Sequence, residues 1–310
     1  MNIKKNYIII GCTLLVGVLL GAIGFMMITN ASYATENGTS QSENVYSNQL
    51  VPPPLPDSLT FAGELVPLDN YWVREALDRE LTIVCYQHSA TLLGLNRSAR
   101  YFPTFDKIFQ EEGLPQDFKY LCIAESNLSN AISPAKAVGF WQFIPETAKI
   151  YGLEIRDEID ERYHVEKSTR AACRYLKASK ERMGSWALAA AAYNMGEAGV
   201  KKSLDDQSVS NYWDLYLNPE TARYVYRILA YKLLFENQQL YGVRVSPKSQ
   251  YQPLVYEEIE VKTSIPDLYQ FCRENDMTYR ELKELNPWLR ATKLTVYNQS
   301  YFIKIPVKKK

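Results

Sequence analysis

LCIAESNLSNAISPAKAVGFWQ, running from Leu121 to Gln142, is the stretch whose reading decides the fold. Its first five residues continue a helix that Gln116 or Asp117 can cap, and Phe118, Leu121, Cys122 and Glu125 share one helical face. That face is apolar except for the glutamate at its end. A carboxylate on a mostly buried stripe is costly to ionise, so its pKa is expected to move upward, towards that of a usable proton donor. After Glu125 the composition turns to Ser, Asn, Ala, Pro and Gly, which is loop chemistry. The expectation is an acid placed where a rigid helix opens into a loop. A helix C-terminus with one exposed glutamate is the plainer alternative.

Helical signals extend to both sides of this stretch. Asp69 can cap a helix carrying Trp72, Val73, Ala76, Leu77, Leu81 and Val84, and a second helix is predicted near Ser98 to Glu112, stopped by Gly113 and Pro115. Downstream, Pro145 starts a short helix that ends near Gly152. Leu153 to Lys167 reads as charged and irregular, and its acidic set (Glu154, Asp157, Glu158, Asp160, Glu161) as a solvated loop. Ser168 can cap a helix ended by Gly184. Trp186 to Asn194 is dense in alanine, which implies close helix packing at the domain centre, and a last helix runs from Pro219 to about Gln238. No strand-period alternation occurs between Asp69 and Leu240, so residues 67–245 read as one all-α domain. Ile259, Val261 and Phe302 to Ile305 read as strands around two short helices, Ile265 to Asn275 and Thr278 to Leu285. Residues 255–307 are therefore a small β-α-α-β unit.

At the other end, Lys4 and Lys5 precede an apolar run from Tyr7 to Ile28 without a charged residue. That length spans a bilayer core, and the basic residues before it place the N-terminus inside and export the remainder of the chain. Residues 1–29 read as a signal-anchor, with a signal peptide cleaved near Ser32-Tyr33-Ala34 as the alternative. Residues 30–66, rich in Ser, Asn and Pro, read as a linker.

Composition narrows the chemistry. Lys plus Arg and Asp plus Glu both total 35, which argues against bulk electrostatic capture of nucleic acid. Two histidines, His88 and His164, and five cysteines without a CxxC build no recognisable metal site. The expectation is no metal, no cofactor and no nucleic-acid partner. Cys85, Cys122 and Cys173 sit among apolar helical positions and read as buried thiols.

Three constellations accumulate in the helical domain: Glu125 with Ser126 and Ser133; Gly139-Phe140-Trp141-Gln142; and Ala192-Tyr193-Asn194 with Tyr224 beyond it. A carboxylic acid of raised pKa, neutral amide and hydroxyl groups, and aromatic walls are what glycosidic bond cleavage needs. Core packing is the competing reading for Trp141 and Tyr193. It explains Gln142 and Asn194 less well, because a buried amide needs partners.

In order, Glu125-Ser126, Ser133 to Gln142, Pro145-Glu146-Thr147-Ala148, Tyr151-Gly152-Leu153, Ser168-Thr169, Tyr175-Leu176, Gly184, Trp186, Ala192-Tyr193-Asn194, Thr221 and Tyr224-Val225 resemble the catalytic domain of lytic transglycosylases of the membrane-bound murein transglycosylase D type. The resemblance covers residues 114–234 and implies a lysozyme-like fold. It implies that Glu125 is the single catalytic acid/base. It further implies that Ser133 orients substrate, that Phe140, Trp141 and Gln142 belong to the glycan groove, that Tyr193 and Asn194 face the glutamate, and that Tyr224 is a further tyrosine of the cleft. The implied reaction cleaves the N-acetylmuramic acid–N-acetylglucosamine bond of peptidoglycan without water and leaves 1,6-anhydro ends. Leu282 to Leu289 and Ile303-Lys304-Ile305-Pro306 resemble a LysM peptidoglycan-binding module, with Lys262-Thr263-Ser264 where the usual Gly-Asp opening would stand. Implied partners are glycan strands and, through the N-terminal helix, the inner membrane of a bacterial envelope, on the periplasmic side and as a monomer. A hydrolytic muramidase and a non-catalytic cell-wall scaffold are the alternative functions.

Overall fold

The computed structural model describes residues 51–307. The apolar run at 7–28, the Ser32-Tyr33-Ala34 segment and most of the linker lie outside them. Among the described residues no helix is long and apolar enough to cross a membrane. Residues from Pro52 onward form one compact unit, mainly helical with three small strand pairs.

The expected linker gives way to structure before residue 66. A tight hairpin pairs β1 (Thr60–Phe61) with β2 (Glu64–Leu65), and Leu59, Phe61 and Val66 are buried in the helical core. Glu64 follows the hairpin turn, and its carboxylate accepts from the Trp186 backbone N–H at 2.8 Å. It thereby caps the alanine-rich helix described below, as anions favour helix N-termini.

Helix α1 (Tyr71–Tyr86) has Asn70 at its N-cap position, one residue beyond the expected Asp69, and Asn70 makes no side-chain cap. Helix α2 spans His88–Glu112, ten residues more than expected towards the N-terminus, with Pro103 inside it. The early start is packing rather than capping: Thr91, Gly94 and Leu95 are buried. Gly113 closes α2 in the left-handed region (φ 67). Helix α3 (Phe118–Ser126) comes next. Asp117 precedes it without capping it; the carboxylate instead accepts from Ala62 N and Lys232 Nζ, both at 2.7 Å, and fastens the hairpin to the helices.

Helix α4 (Pro145–Ile150) is short. Helix α5 (Val165–Met183) begins three residues before Ser168, which is buried within it rather than capping it. Helix α6 (Trp186–Met195) places Ala187 and Ala189–Ala192 in the core, where only methyl groups allow neighbouring helices so close. Helices α7 (Glu197–Gln207) and α8 (Pro219–Glu236) complete the domain. Helix α8 packs along α1, where a fully buried Glu80 (0% exposed) accepts from Arg223 Nε at 2.6 Å and pairs with Arg227 and Arg79 at 3.3 Å.

The expected solvated loop at 154–161 is instead ordered and partly buried. Two-residue strands β3 (Ile155–Arg156) and β4 (Ile159–Asp160) pair antiparallel and run into a 3-10 turn at Glu161–Tyr163. Glu158, Asp160 and Glu161 are buried. Each has cations or backbone donors to satisfy it, which is what lets a carboxylate leave water. Glu158, for example, accepts from Arg156, from Thr295 N at 2.7 Å and from Thr295 Oγ1 at 2.9 Å.

The C-terminal unit has the expected order: β5 (Tyr256–Val261), α9 (Leu268–Glu274), α10 (Tyr279–Leu285) and β6 (Tyr301–Pro306). Strands β5 and β6 pair antiparallel with Ile259 opposite Ile303. Thr278 and Glu281 form a reciprocal capping box on α10. Asn286 is buried and its amide spans Leu282 O, Lys304 O and Lys304 N, stitching α10 to β6.

Candidate active site

The end of helix α3 is fixed before its glutamate does anything. Asn127 and Leu128 both take left-handed backbone (φ 51 and 54), turning the chain sharply after Ser126. Asn127 Nδ2 donates to Ala90 O at 2.8 Å, and Arg97 Nη1 donates to Asn127 O at 2.9 Å. Helix α2 passes so close that a Cβ at Gly94 would overlap the Asn127 side chain. At the last residue of α3, Ser126 Oγ donates to Phe140 O at 2.8 Å and ties the following loop back to the helix.

Glu125 is half-buried in this frame. Its Oε1 accepts a short hydrogen bond from Tyr224 Oη on α8. Desolvation pushes its pKa from the ordinary 4.5 up to about 7; the Tyr224 hydrogen bond and Arg227 pull it down, and the negative charge of Glu220 pushes it further up. The carboxyl is therefore protonated at mildly acidic pH and divides between its two states near neutrality. The plainer alternative, an exposed glutamate at a helix end, does not describe this side chain.

Tyr193 and Tyr224 feel the same carboxylate. Burial and the Glu125 charge both raise their phenol pKa values well above the usual range, so each stays a neutral O–H donor. Tyr193 Oη donates to Trp141 O at 2.6 Å and its ring meets Phe143 and Tyr175 edge-on. Asn194 lies beside them on α6. Its Nδ2 donates to Glu220 at 3.2 Å and its Oδ1 accepts from Thr221 Oγ1 at 2.7 Å. The structure thus joins Glu125, Tyr193 and Tyr224 electrostatically, with Asn194 linked through Glu220.

The Ser133–Gln142 loop behaves differently. Trp141 has no exposed surface, donates to Thr169 Oγ1 at 2.9 Å and packs near Phe105 and Phe109. Phe140 is 3% exposed and meets Tyr101 edge-on. The expectation that these two rings line a groove is corrected to a backing role, because neither ring has open surface for a sugar to cover. Gln142, in left-handed backbone (φ 49), spends its amide N–H groups on Ala131 O and Gly139 O. Ser133 Oγ accepts from Ala137 N at 3.0 Å. Both side chains shape the loop from within.

Sequence reasoning missed Arg162. It is buried, pairs with Asp160 at 2.7 Å, and its Nη1 donates to Lys136 O and Phe143 O, each at 3.0 Å. One guanidinium thereby ties the middle of the loop, at Lys136, to Phe143 just beyond its end. Gly139 (φ 81) lies against Arg162 O so closely that any Cβ would overlap it. The signal was an Asp-Glu-Arg run within an otherwise polar segment, too ordinary to single out. Glu220 was also missed; its place beside Pro219 at a helix start reads only as an N-terminal acid.

Fold and site together define a mainly helical domain that presents one half-buried, tyrosine-held carboxylic acid, followed by a β-α-α-β unit. Residues 105–215 match the family model of the transglycosylase SLT domain, and residues 257–309 match that of the soluble lytic transglycosylase C-terminal LysM-like domain. It is 29% identical over 262 residues, 81% of its length, to membrane-bound lytic murein transglycosylase D of Escherichia coli strain K12, covering 56% of that protein. It is 33% identical over 115 residues, 36% of its length, to a putative tributyltin chloride resistance protein of Alteromonas sp. strain M-1, again covering 56%. The chain spans about half the length of these curated relatives. Among solved structures, the 70 kDa soluble lytic transglycosylase of Escherichia coli aligns at 18% identity over 60% of this chain and 31% of that one, with a TM-score of 0.41.

Proposed function

We propose that this chain is a peptidoglycan lytic transglycosylase on a lysozyme-like helical domain, with Glu125 as its only acid and base. The observation that carries this reading is the environment of Glu125: a half-buried carboxyl with a pKa of about 7, gripped by Tyr224 and charge-coupled to Tyr193. Near neutrality one group of that kind can give a proton and take one back.

In the proposed sequence the protonated Glu125 delivers its proton to the glycosidic oxygen as the C1–O bond of N-acetylmuramic acid breaks. The N-acetylglucosamine end leaves as an alcohol. The resulting carboxylate then removes the proton of the muramoyl C6 hydroxyl, whose oxygen bonds to C1 and closes the 1,6-anhydro ring. Protons balance without water, and Glu125 returns to its starting state. Ring closure within one sugar replaces an activated nucleophile by orientation. The two-carboxylate arrangement of most glycosidases is then unnecessary. The carboxylate felt at Glu125 is that of Glu220, exposed and bonded to Asn194; its effect is to keep Glu125 protonated rather than to attack. Tyr193 and Asn194 are the proposed substrate-facing residues, and the buried Tyr224 acts by holding Glu125. Ser133 and Gln142 present loop backbone to the glycan, and Phe140 and Trp141 support that loop from behind.

Residues 7–28 are proposed to anchor a monomer to the inner membrane, with the enzyme on the periplasmic side facing glycan strands. Digestion of purified murein followed by mass analysis tests the reaction. Anhydro-muropeptides are expected, and Glu125→Gln should reduce their release by on the order of a thousandfold. Products heavier by one water would instead establish the hydrolytic muramidase. Murein binding that is indifferent to Glu125→Gln, with no release at all, would establish a scaffold.

A further inference from the structure

We infer that the C-terminal unit is a fixed wall of the active-site loop, and that Arg162 is the positioning residue through which it acts; this rests on the transglycosylase reading above. A LysM-like module joined by a polar connector would ordinarily serve as a tethered glycan binder, independent of the chemistry. Three observations set this unit apart from that arrangement.

First, the unit does not complete its own core. Val138, Ile159 and Tyr163 of the helical domain are buried in the same apolar cluster as Val261, Leu268, Leu282, Trp288, Leu289, Leu294 and Ile303. Val138 belongs to the active-site loop itself, one residue before Gly139. Second, the seam is built from backbone as well as side chains. Asp160 N donates to Trp288 O at 2.9 Å and Arg290 N donates to Glu158 O at 2.8 Å, with Ile159 bridged to Leu289 between them. Glu158 adds its carboxylate to Thr295, and Tyr301 Oη donates to Glu154 at 2.9 Å. Backbone pairing of this kind fixes register and is lost as a set, unlike a few exposed ion pairs.

Third, the docked segment leads straight to the loop. Asp160, held at its N–H by Trp288, positions the Arg162 guanidinium from Nε at 2.9 Å and Nη2 at 2.7 Å. The remaining guanidinium nitrogen, Nη1, holds the carbonyls of Lys136 and Phe143, which bracket Gly139 to Gln142. Phe140 O in turn receives Ser126, the neighbour of Glu125. The path from the C-terminal unit to the acid is therefore Trp288, Asp160, Arg162, the loop, Ser126 and α3, with a hydrogen bond or covalent continuity at each step. The planar fork reaches Asp160 and two carbonyls from three separate nitrogens, whereas the three donors of a lysine ammonium sit on one nitrogen and do not span those acceptors in the same geometry.

The test uses the full chain, murein as substrate and release of anhydro products as the readout, with murein co-sedimentation measured in parallel. For Arg162→Lys, kcat is expected to fall at least tenfold, while the apparent KM and co-sedimentation stay within twofold and circular dichroism is unchanged. Glu158→Gln, which weakens the seam at Thr295, should lower kcat by about threefold with the same unchanged binding. Should Arg162→Lys fail to fold, Glu158→Gln decides alone. If folded variants keep kcat and lose only co-sedimentation, the unit is a separate binder and the inference is overturned. A wild-type chain that releases no anhydro products overturns the functional reading and this inference with it. An active wild type with unaffected variants overturns this inference alone.

Discussion

At the scale of the residue, the chemistry turns on how one carboxyl is solvated. Glu125 ends an apolar helical stripe, and that much is visible in Phe118, Leu121 and Cys122. What sets its pKa at about 7 is the near-balance between desolvation, which favours the neutral acid, and the Tyr224 O–H, which favours the carboxylate. Tyr224→Phe removes only the second influence, so the folded-state pKa rises. Because the acid must be protonated to start, kcat/KM in the parent should decline as pH climbs through about 7, and the decline in Tyr224→Phe should begin at higher pH. Profiles of kcat/KM against pH for the two proteins measure this. A limb that stays put, or moves towards acid, would mean that the tyrosine does not govern this proton.

At the scale of the element, the loop between α3 and α4 is held by its surroundings as well as by its own turns. Gly139 is the point where this can be measured. Its φ of 81 would strain any other residue, and a Cβ there would also overlap the backbone carbonyl of Arg162. Gly184, at the end of α5, has nearly the same φ of 82 with open space around it. Gly184→Ala should therefore cost only the left-handed strain, about 1 kcal/mol, whereas Gly139→Ala should cost about 3 kcal/mol and take activity with it. Chemical denaturation of both variants makes the comparison. Equal losses would show that Arg162 does not crowd the loop. The helices themselves were legible because their apolar faces repeat at helical spacing. Their starts were less so: α2 begins at His88 and α5 at Val165 with no side-chain cap at either point, and burial sets in only at Thr91 and Ser168.

At the scale of the whole molecule, helical domain and C-terminal unit share apolar residues instead of meeting across a polar joint. Since Val138, Ile159 and Tyr163 lose their burial when either part unfolds, heating should give one cooperative transition for residues 52–310 rather than two. Differential scanning calorimetry reads this directly, and two resolved peaks would mean that the seam contributes little. The arrangement also accounts for the 154–161 segment. Its carboxylates read as a solvated loop because local sequence places no apolar face there, yet Glu158 and Asp160 find Thr295 and Arg162 once the seam is formed.

The sequence by itself determined the helical class, the β-α-α-β end, the buried thiols at Cys85, Cys122 and Cys173, and the helix-end position of Glu125. Each of these comes from local periodicity and side-chain type, which act over a few residues. Tertiary structure alone decided that Phe140 and Trp141 face inward, that Glu80 meets three arginines and that Arg162 holds the loop. Those outcomes depend on which surfaces arrive from far along the chain to exclude water, and a buried polar or aromatic group shows no sign of its partner until the partner is beside it.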